Sequence, residues 1–257
     1  MEATELQVRP AAASVIAACL SAQAAAPRRS ALGRTFGTSV LSDASRKPYV
    51  EALGELHVAG ELTRLGRDWV ILHDVPVGER GQKIDHLAIG PAGVFAIDVM
   101  HQPASWVTVR GDVLSVNGAP RPYLAASRDL ATDAAVDLTL ATGLNVPVSG
   151  LIVFVAPQTV SVRDEPDDVG VTSDRMLQKY LAGRGRVLDS KSVRTIADAA
   201  ADPHTWRGAL PHRTPGFDAA AFDALRIDVQ RAWLARGFWA AVLITGAAVA
   251  AVQLIAG

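Results

Sequence analysis

The 257-residue chain has a single cysteine, few aromatic residues and almost no net charge. Because Cys19 stands alone, an intrachain disulfide and a zinc site built from several cysteines are both excluded. Lys and Arg together number 25 against 26 for Asp and Glu, so no overall basic excess indicates nucleic-acid binding. Any such role therefore needs a local basic patch.

Several common catalytic motifs are also missing. The sequence contains neither G-x-x-x-x-G-K-[ST] nor G-x-G-x-x-G, so its glycines match no standard phosphate-binding loop. No G-x-S-x-G elbow is present to support Ser-His-Asp catalysis. These absences direct attention to carboxylates as the candidate catalytic groups.

Four segments differ in composition. Residues 1–45 are rich in Ala, Ser and Arg with weak periodicity, which predicts a poorly ordered N-terminal arm. Residues 46–160 show alternating helical and strand patterns and predict the main domain. Residues 161–236 are mostly helical in pattern, and either continue that domain or form a helical appendage.

The last segment, residues 237–257, predicts a transmembrane helix. Its sequence "GFWAAVLITGAAVAAVQLIAG" contains no charged residue and has about the twenty apolar residues that a bilayer crossing needs. Basic residues lie just before it and none follows, so the positive-inside bias places the folded domain in the cytoplasm. We therefore expect a single-pass protein of the cell membrane, in contact with lipid through residues 238–256. A buried C-terminal helix is the alternative interpretation.

Strand and helix patterns in the main domain predict an α/β fold with a central mixed sheet flanked by helices. The run "VFAIDVM" is almost continuously apolar, as in a strand covered on both faces. The predicted helices span residues 48–66 and 121–142. The predicted strands span residues 69–74, 82–89, 93–99, 105–110, 112–117 and 149–155.

Acidic residues occur on two of these neighbouring strands and on the preceding helix. Asp85 comes from one strand, Asp98 from the next, and Glu55 from the helix. Two or three carboxylates around a divalent ion such as Mg²⁺ or Mn²⁺ form a hydrolytic site for phosphodiesters. Such a site also uses a cation to stabilise charge on the phosphate, and a lysine two residues after the second acid would face the same way.

Met100 stands where that lysine is expected, and its thioether carries no charge. Lys83 is one substitute, because it lies two residues before Asp85 and shares its face of the strand. His101 is a second candidate, but its odd spacing from Asp98 turns it to the opposite face unless the strand kinks.

The order of these motifs resembles a known family. The segments "GELHVAGELTRL", "KIDHLAIGPAGVFAIDVM" and "VRGDVLSVNG" are similar to the nuclease-related domain (NERD) family, a branch of the PD-(D/E)XK restriction-endonuclease-like nucleases. The resemblance implies a restriction-endonuclease-like fold and DNA cleavage with Mg²⁺ or Mn²⁺. Its carboxylates fall on Glu55, Asp85 and Asp98, and its lysine falls on Met100, where this sequence departs from the pattern.

Two functions remain open from the sequence. In the first, the chain is a membrane-anchored, metal-dependent nuclease, with Asp85, Asp98 and Lys83 as catalytic residues. Its metal ligands are then Glu55, Asp85 and Asp98. In the second, the chain is a catalytically degenerate NERD module that binds nucleic acid or protein at the cytoplasmic face of the membrane. The residues expected to contact nucleic acid are Arg110, Arg121 and Arg128.

Overall fold

The computed structural model describes residues 9–27, 30–78, 81–207 and 216–256, except for the side chains of residues 34, 248–250 and 252–256. The chain divides into two compact units. The first comprises Met1–Ser14 and Val50–Pro215, and the second comprises Val15–Tyr49 and Gly216–Gly257.

The first unit contains a five-stranded mixed sheet. In chain order its strands are β1 (Val70–Val77), β2 (Gln82–Gly90), β3 (Gly93–His101), β7 (Val148–Val155) and β9 (Val169–Ser173). They lie side by side in the order β1-β2-β3-β7-β9. The first three strands are antiparallel neighbours, whereas β7 pairs in parallel with both β3 and β9.

A second, four-stranded mixed sheet lies in the same unit. Its strands are β4 (Trp106–Arg110), β5 (Val113–Val116), β6 (Ala119–Arg121) and β8 (Thr159–Asp164), in the order β6-β5-β4-β8. β4 is antiparallel to β5 and parallel to β8. Alternating buried valines of β4 pack with Ile152 and Phe154 of β7, so the second sheet covers part of one face of the first.

Helices cover the rest of the five-stranded sheet. Helices α4 (Tyr123–Thr142) and α6 (Ser190–Ala201) pack on one face with Leu72, Leu87 and Ile89. The other face is covered by α3 (Asp43–Leu62) and α5 (Leu177–Ala182), which pack against Phe95 and Ile97. This double coverage explains why β3 and β7 are nearly continuous apolar runs.

The pairing of β1 with β2 is interrupted at two acidic residues. The register passes from His73 opposite His86 to Val75 opposite Ile84, and leaves Asp74 and Asp85 unpaired across the same gap. Asp74 has a left-handed backbone with φ +55°, which is uncommon for a residue other than glycine. Side-chain alternation changes at this point, so buried Leu72 and Val75 contribute to the same core cluster although three positions separate them.

The second unit consists of helices. They are α1 (Ala13–Ala24), α2 (Ala31–Thr35), the first turns of α3, and α7 (Ala219–Ala256). Buried Cys19 donates its thiol to the backbone oxygen of Ser45, and Trp239 donates its indole N–H to the backbone oxygen of Thr35. Helical structure is therefore present within the segment 1–45, for which we predicted a poorly ordered arm.

Two parts of the predicted architecture are wrong. The sheet is not single, because β4, β5, β6 and β8 form a separate sheet rather than extending the central one. The described residues also contain no helix that is long and apolar enough to cross a lipid bilayer, which overturns the transmembrane helix predicted over residues 237–257.

The physical reason lies in the composition of α7. Its first half is charged, and much of the stretch after Arg236 is Ala and Gly, which bury little apolar area per residue. The prediction of a single-pass protein in the cell membrane is therefore wrong. The prediction that the folded domain lies on the cytoplasmic side depended on that helix and is no longer supported.

Core packing around β7 can be tested by truncation. Leu151 is fully buried on this central strand, and Leu151→Ala should lower the free energy of unfolding by about 2–5 kcal/mol, because a cavity remains where the side chain was. Leu140→Ala, on the exposed face of α4, is the control and should change it by less than about 0.5 kcal/mol. Urea denaturation followed by circular dichroism measures both, and equal effects would contradict the assigned core.

Candidate active site

Lys83 lies at the centre of a group of carboxylates in the first unit. Its ammonium Nζ is 2.9 Å from Oδ1 of Asp85, on the same strand. The same Nζ is 3.1 Å from Oε1 of Glu55 on α3 and 3.2 Å from Oδ1 of Asp74 on β1. One ammonium therefore contacts acids from three separate elements, and two of them, Glu55 and Asp85, are the acids predicted from the sequence.

Asp74 is the member of this group that the sequence did not reveal. Its side chain is almost completely buried, and Oδ2 is 3.1 Å from the guanidinium of Arg9. The backbone N–H and the hydroxyl of Ser14 also donate to its carboxylate. The sequence "HDVPV" suggested a strand end and a turn at this position, whereas the strand continues through Asp74 to Val77.

Burial and neighbouring charges shift the pKa values of the cluster. Burial raises the pKa of Glu55 to about 8, and the negative charge of Asp85 adds to the rise, while Lys83 opposes it. Burial lowers the pKa of Lys83, but the charges of Asp85 and Glu55 outweigh it and raise that pKa overall. Lys83 therefore stays charged, and Glu55 holds a proton more readily than an exposed glutamate does.

The carboxylates of Asp85 and Glu55 differ in how many of their oxygens have hydrogen-bond partners. Asp85 uses both oxygens, because Oδ2 accepts a hydrogen bond from the backbone N–H of Val99 on β3 at 2.9 Å. In contrast, Oε2 of Glu55 is buried and has no hydrogen-bond partner among the described residues. A buried carboxylate oxygen without a partner is costly, so this atom marks a place where a cation or a proton would be favourable.

Asp98 and Met100 point to the other face of the sheet. A Cβ placed on Gly54 of α3 would lie 3.3 Å from Cγ1 of Val99 and 3.1 Å from Cβ of His101, so these two side chains face α3. Because side chains alternate along a strand, Asp98 and Met100 face away from it. The structure thus brings Glu55, Asp85 and Lys83 together, but not Asp98 with Glu55.

The surroundings of Asp98 differ from those of the cluster. Burial raises the pKa of Asp98 to about 7, and the charge of Asp85 adds to this, while the nearby hydroxyl of Ser127 and the charge of Lys83 act against it. Met100 packs against the apolar cluster between the two sheets. Its side chain therefore contributes to the core and does not occupy the space around Lys83.

Buried His86 and half-buried His73 lie beside the acids. Nδ1 of His73 is 2.8 Å from Nδ1 of His86, so one ring donates and the other accepts. Burial lowers the pKa of both, which favours the neutral forms that this hydrogen bond requires. His101, the other cation considered as a lysine substitute, hydrogen bonds through Nδ1 to the backbone oxygen of Val50.

The three predicted nucleic-acid contacts lie at one end of the second sheet. Arg110 is opposite Val113 and Arg121 is opposite Leu114, so both arginines stand at the same end of β5, and both are exposed. Arg128 of α4 forms ion pairs with Asp112 and Asp168. These acids neutralise much of the charge of Arg128.

The described residues contain no group of three His, Cys, Asp or Glu side chains already spaced to hold a metal ion. The carboxylate oxygens lie about 3 Å from Nζ of Lys83, as expected for contacts to an ammonium. A Mg²⁺ ion would lie roughly 2.1 Å from each of its oxygen ligands. Metal ligation by Glu55, Asp85 and Asp98 therefore stays a prediction.

A comparison with known families finds one match. Residues 51–155 match the nuclease-related domain, NERD. No curated protein and no solved structure matches the chain. The NERD match extends from within α3 to the end of β7, and it includes the three acids and Met100. It supports a nuclease-related function for this part of the chain.

The pH dependence of stability tests the environment of Asp98. Its pKa rises from 3.8 to about 7 on folding, so its contribution to stability is complete below about pH 3.8 and is lost as the pH rises through 7. Asp98→Asn, which does not ionise, should remove this loss, which is on the order of 4 kcal/mol.

The measurement is the free energy of unfolding of the parent minus that of the variant, from urea denaturation between pH 4 and 8. His73 and His86 are present in both proteins, so the effect of their titration on the free energy of unfolding cancels in this difference. If this difference in unfolding free energy does not change with pH, ionisation of Asp98 does not destabilise the folded protein, and the assigned environment of Asp98 is wrong.

Proposed function

We propose that this protein is a divalent-metal-dependent nuclease of the NERD type, in which Lys83 replaces the missing motif lysine. The observation that carries the proposal is the contact of Lys83 Nζ with both Asp85, at 2.9 Å, and Glu55, at 3.1 Å. A lysine that contacts the acidic residues supplies the positive charge that Met100 cannot. The proposal includes membership of the wider PD-(D/E)XK group, which the resemblance of the sequence implies.

The acidic residues suit a divalent ion in their chemistry. Mg²⁺ and Mn²⁺ take oxygen ligands, and carboxylates of Glu55 and Asp85 are present together with the unpartnered Oε2 of Glu55. The family pattern also assigns a ligand role to Asp98, but Asp98 faces away from α3, so this proposal rests on Glu55 and Asp85. When bound, the ion would polarise the phosphate and lower the pKa of an attacking water.

The chain's own residues have separate tasks in this proposal. Lys83, whose side chain is 30% exposed, places a positive charge where a phosphodiester could approach the acids. A preorganised charge of this kind stabilises the negative charge that develops on the attacked phosphate. Arg110 and Arg121, at the end of the second sheet, would contact the phosphate backbone of DNA. Contacts of this kind orient the protein on the duplex but do not read the base sequence.

Substitutions in the cluster test this function. Asp85→Asn should abolish Mg²⁺- or Mn²⁺-dependent cleavage of DNA, and Lys83→Met should lower its rate by about 100- to 1,000-fold, because a charge that acts on the transition state is removed. The measurement is the initial rate on plasmid and on linear duplex DNA with each metal and with chelator.

Asp167→Asn, on an exposed loop, is the matched control and should cleave like the parent. Circular dichroism of each variant separates lost chemistry from lost folding. If the parent cleaves no DNA with any metal and Asp85→Asn behaves identically, the nuclease proposal fails.

A second candidate function rests on the opposite orientation of Asp98 and Met100. Because both face away from Glu55, the chain is in this alternative a catalytically degenerate NERD module that binds nucleic acid or protein. The two candidate functions predict different effects of a lysine at position 100, where the family pattern has one.

Met100→Lys distinguishes them. In the nuclease, Lys83 already supplies the charge, so we expect the cleavage rate to change by less than about threefold. In the degenerate module, the parent is inactive, and cleavage that appears only in Met100→Lys would show a site lacking nothing but its cation. The same DNA cleavage assay measures both outcomes, and a binding assay on the inactive parent would then follow.

A further inference from the structure

The carboxylate of Asp74 has a partner at each of its acceptor positions, although the side chain is almost completely buried. Oδ1 lies 3.2 Å from Nζ of Lys83 and also accepts a hydrogen bond from the hydroxyl of Ser14. Oδ2 accepts a hydrogen bond from the backbone N–H of Ser14 at 3.2 Å and lies 3.1 Å from the guanidinium of Arg9. A carboxylate has about four acceptor positions, and these four contacts use them all.

The other two acids that contact Lys83 are held by fewer partners. Only Oε1 of the Glu55 carboxylate has a partner among the described residues, while Oε2 is buried without one. Asp85 has one partner besides Lys83, the backbone N–H of Val99. Asp74 is therefore the acid whose orientation is fixed most firmly, and its Oδ1 is a fixed point for the Lys83 ammonium.

Three of the four contacts to Asp74 come from one short segment, residues 9–14. This segment belongs to the first unit, but it precedes the range that matches NERD, which begins at residue 51. Ser14 lies in the first turn of α1, where backbone N–H groups have no partner inside the helix. No acidic residue of that turn caps the helix, and Asp74 supplies both the acceptor and the negative charge that a helix N-terminus favours.

The backbone is left-handed on both sides of this contact. Asp74 has φ +55°, and Ala12, directly before α1, has φ +59°. An alanine is seldom found in this conformation, because its Cβ approaches the following carbonyl oxygen. Such residues persist where the surrounding contacts offset their cost. The approach of residues 9–14 to Asp74 is therefore a defined turn of the chain.

We propose that Asp74 is a positioning residue of this site. It holds the Lys83 ammonium on the acid cluster, and residues 9–14 in turn hold Asp74. The Lys83 side chain is long and 30% exposed, so without a fixed acceptor on β1 its ammonium can turn toward solvent. The range that matches NERD thus does not contain the whole site. The position of Lys83 follows from these contacts, whereas its effect on DNA cleavage rests on the proposed function.

Nuclear magnetic resonance of the lysine ammonium groups tests the position of Lys83 without nucleic acid. Asp74→Asn keeps the shape of the side chain and tolerates a left-handed backbone, but it removes the charge that attracts Nζ. The Lys83 ammonium hydrogens should then exchange with water about tenfold faster than in the parent, because a charged contact is lost. The measurement is a proton–nitrogen spectrum of protein labelled with ¹⁵N-lysine, in which the signal missing from Lys83→Arg is that of Lys83.

Variants of the N-terminal segment test whether it holds Asp74. Ser14→Ala and Arg9→Gln each remove a group that binds Asp74 and leave all three acids unchanged. Both should speed the exchange at Lys83, by less than Asp74→Asn does. Ser21→Ala, on the exposed surface of α1, and Asp167→Asn, on an exposed loop, are the matched controls and should exchange like the parent.

Exchange at the parent rate in a folded Asp74→Asn would overturn the proposal. If Asp74→Asn does not fold, Ser14→Ala and Arg9→Gln decide it, and exchange at the parent rate in both overturns it. If only Asp74→Asn alters the exchange, the role of residues 9–14 is wrong.

DNA cleavage measures the consequence for the proposed nuclease. Asp74→Asn should lower kcat by about tenfold and leave KM within about threefold, because a displaced ammonium affects the reacting phosphate more than the bound duplex. A rise in KM with kcat unchanged would contradict a positioning role. Since the resonance spectra need no DNA, a parent that never cleaves DNA would contradict the proposed function and leave the positioning of Lys83 by Asp74 intact.

Discussion

The contact of one partly exposed ammonium, that of Lys83, with three carboxylates determines how this site can work. Without Lys83, three acids would lie close together with little water, and their mutual repulsion and desolvation would oppose folding. The guanidinium of Arg9 adds a second positive charge on the far side of Asp74. Burial, and after it the charge of Asp85, raises the pKa of Glu55 to about 8, although Lys83 lowers it.

The fold positions this cluster by an irregularity rather than by regular pairing. A continuous β1–β2 ladder would send Asp74 and Asp85 into ordinary alternation. The break at these two residues instead turns both toward Lys83 and α3. Next to this break, the side chains of His73 and His86 hydrogen bond to each other across the two strands.

The NERD match covers residues 51–155, a range that includes Glu55, Asp85 and Met100. In the structure, Met100 packs with the core between the two sheets. Lys83 on the neighbouring strand contacts Glu55 and Asp85, so the positive charge beside these acids comes from β2 and not from β3.

Local patterns in the sequence determined the positions of β1 to β5, β7 and the two helices that flank the meander, because apolar periodicity reports which face of each element is buried. They also placed Lys83 beside Asp85, since residues two apart share a face of a strand, whereas Glu55 was a candidate through the family resemblance.

Only the tertiary structure decided that β4, β5, β6 and β8 form a second sheet, that Asp74 joins the acids, and that Asp98 faces away. The physical reason is that these outcomes depend on strand pairing across long separations and on one left-handed residue, neither of which has a periodic signature. The transmembrane helix was predicted wrongly because the C-terminal segment lacks charge, and a lack of charge does not measure how much apolar area its Ala and Gly residues can bury.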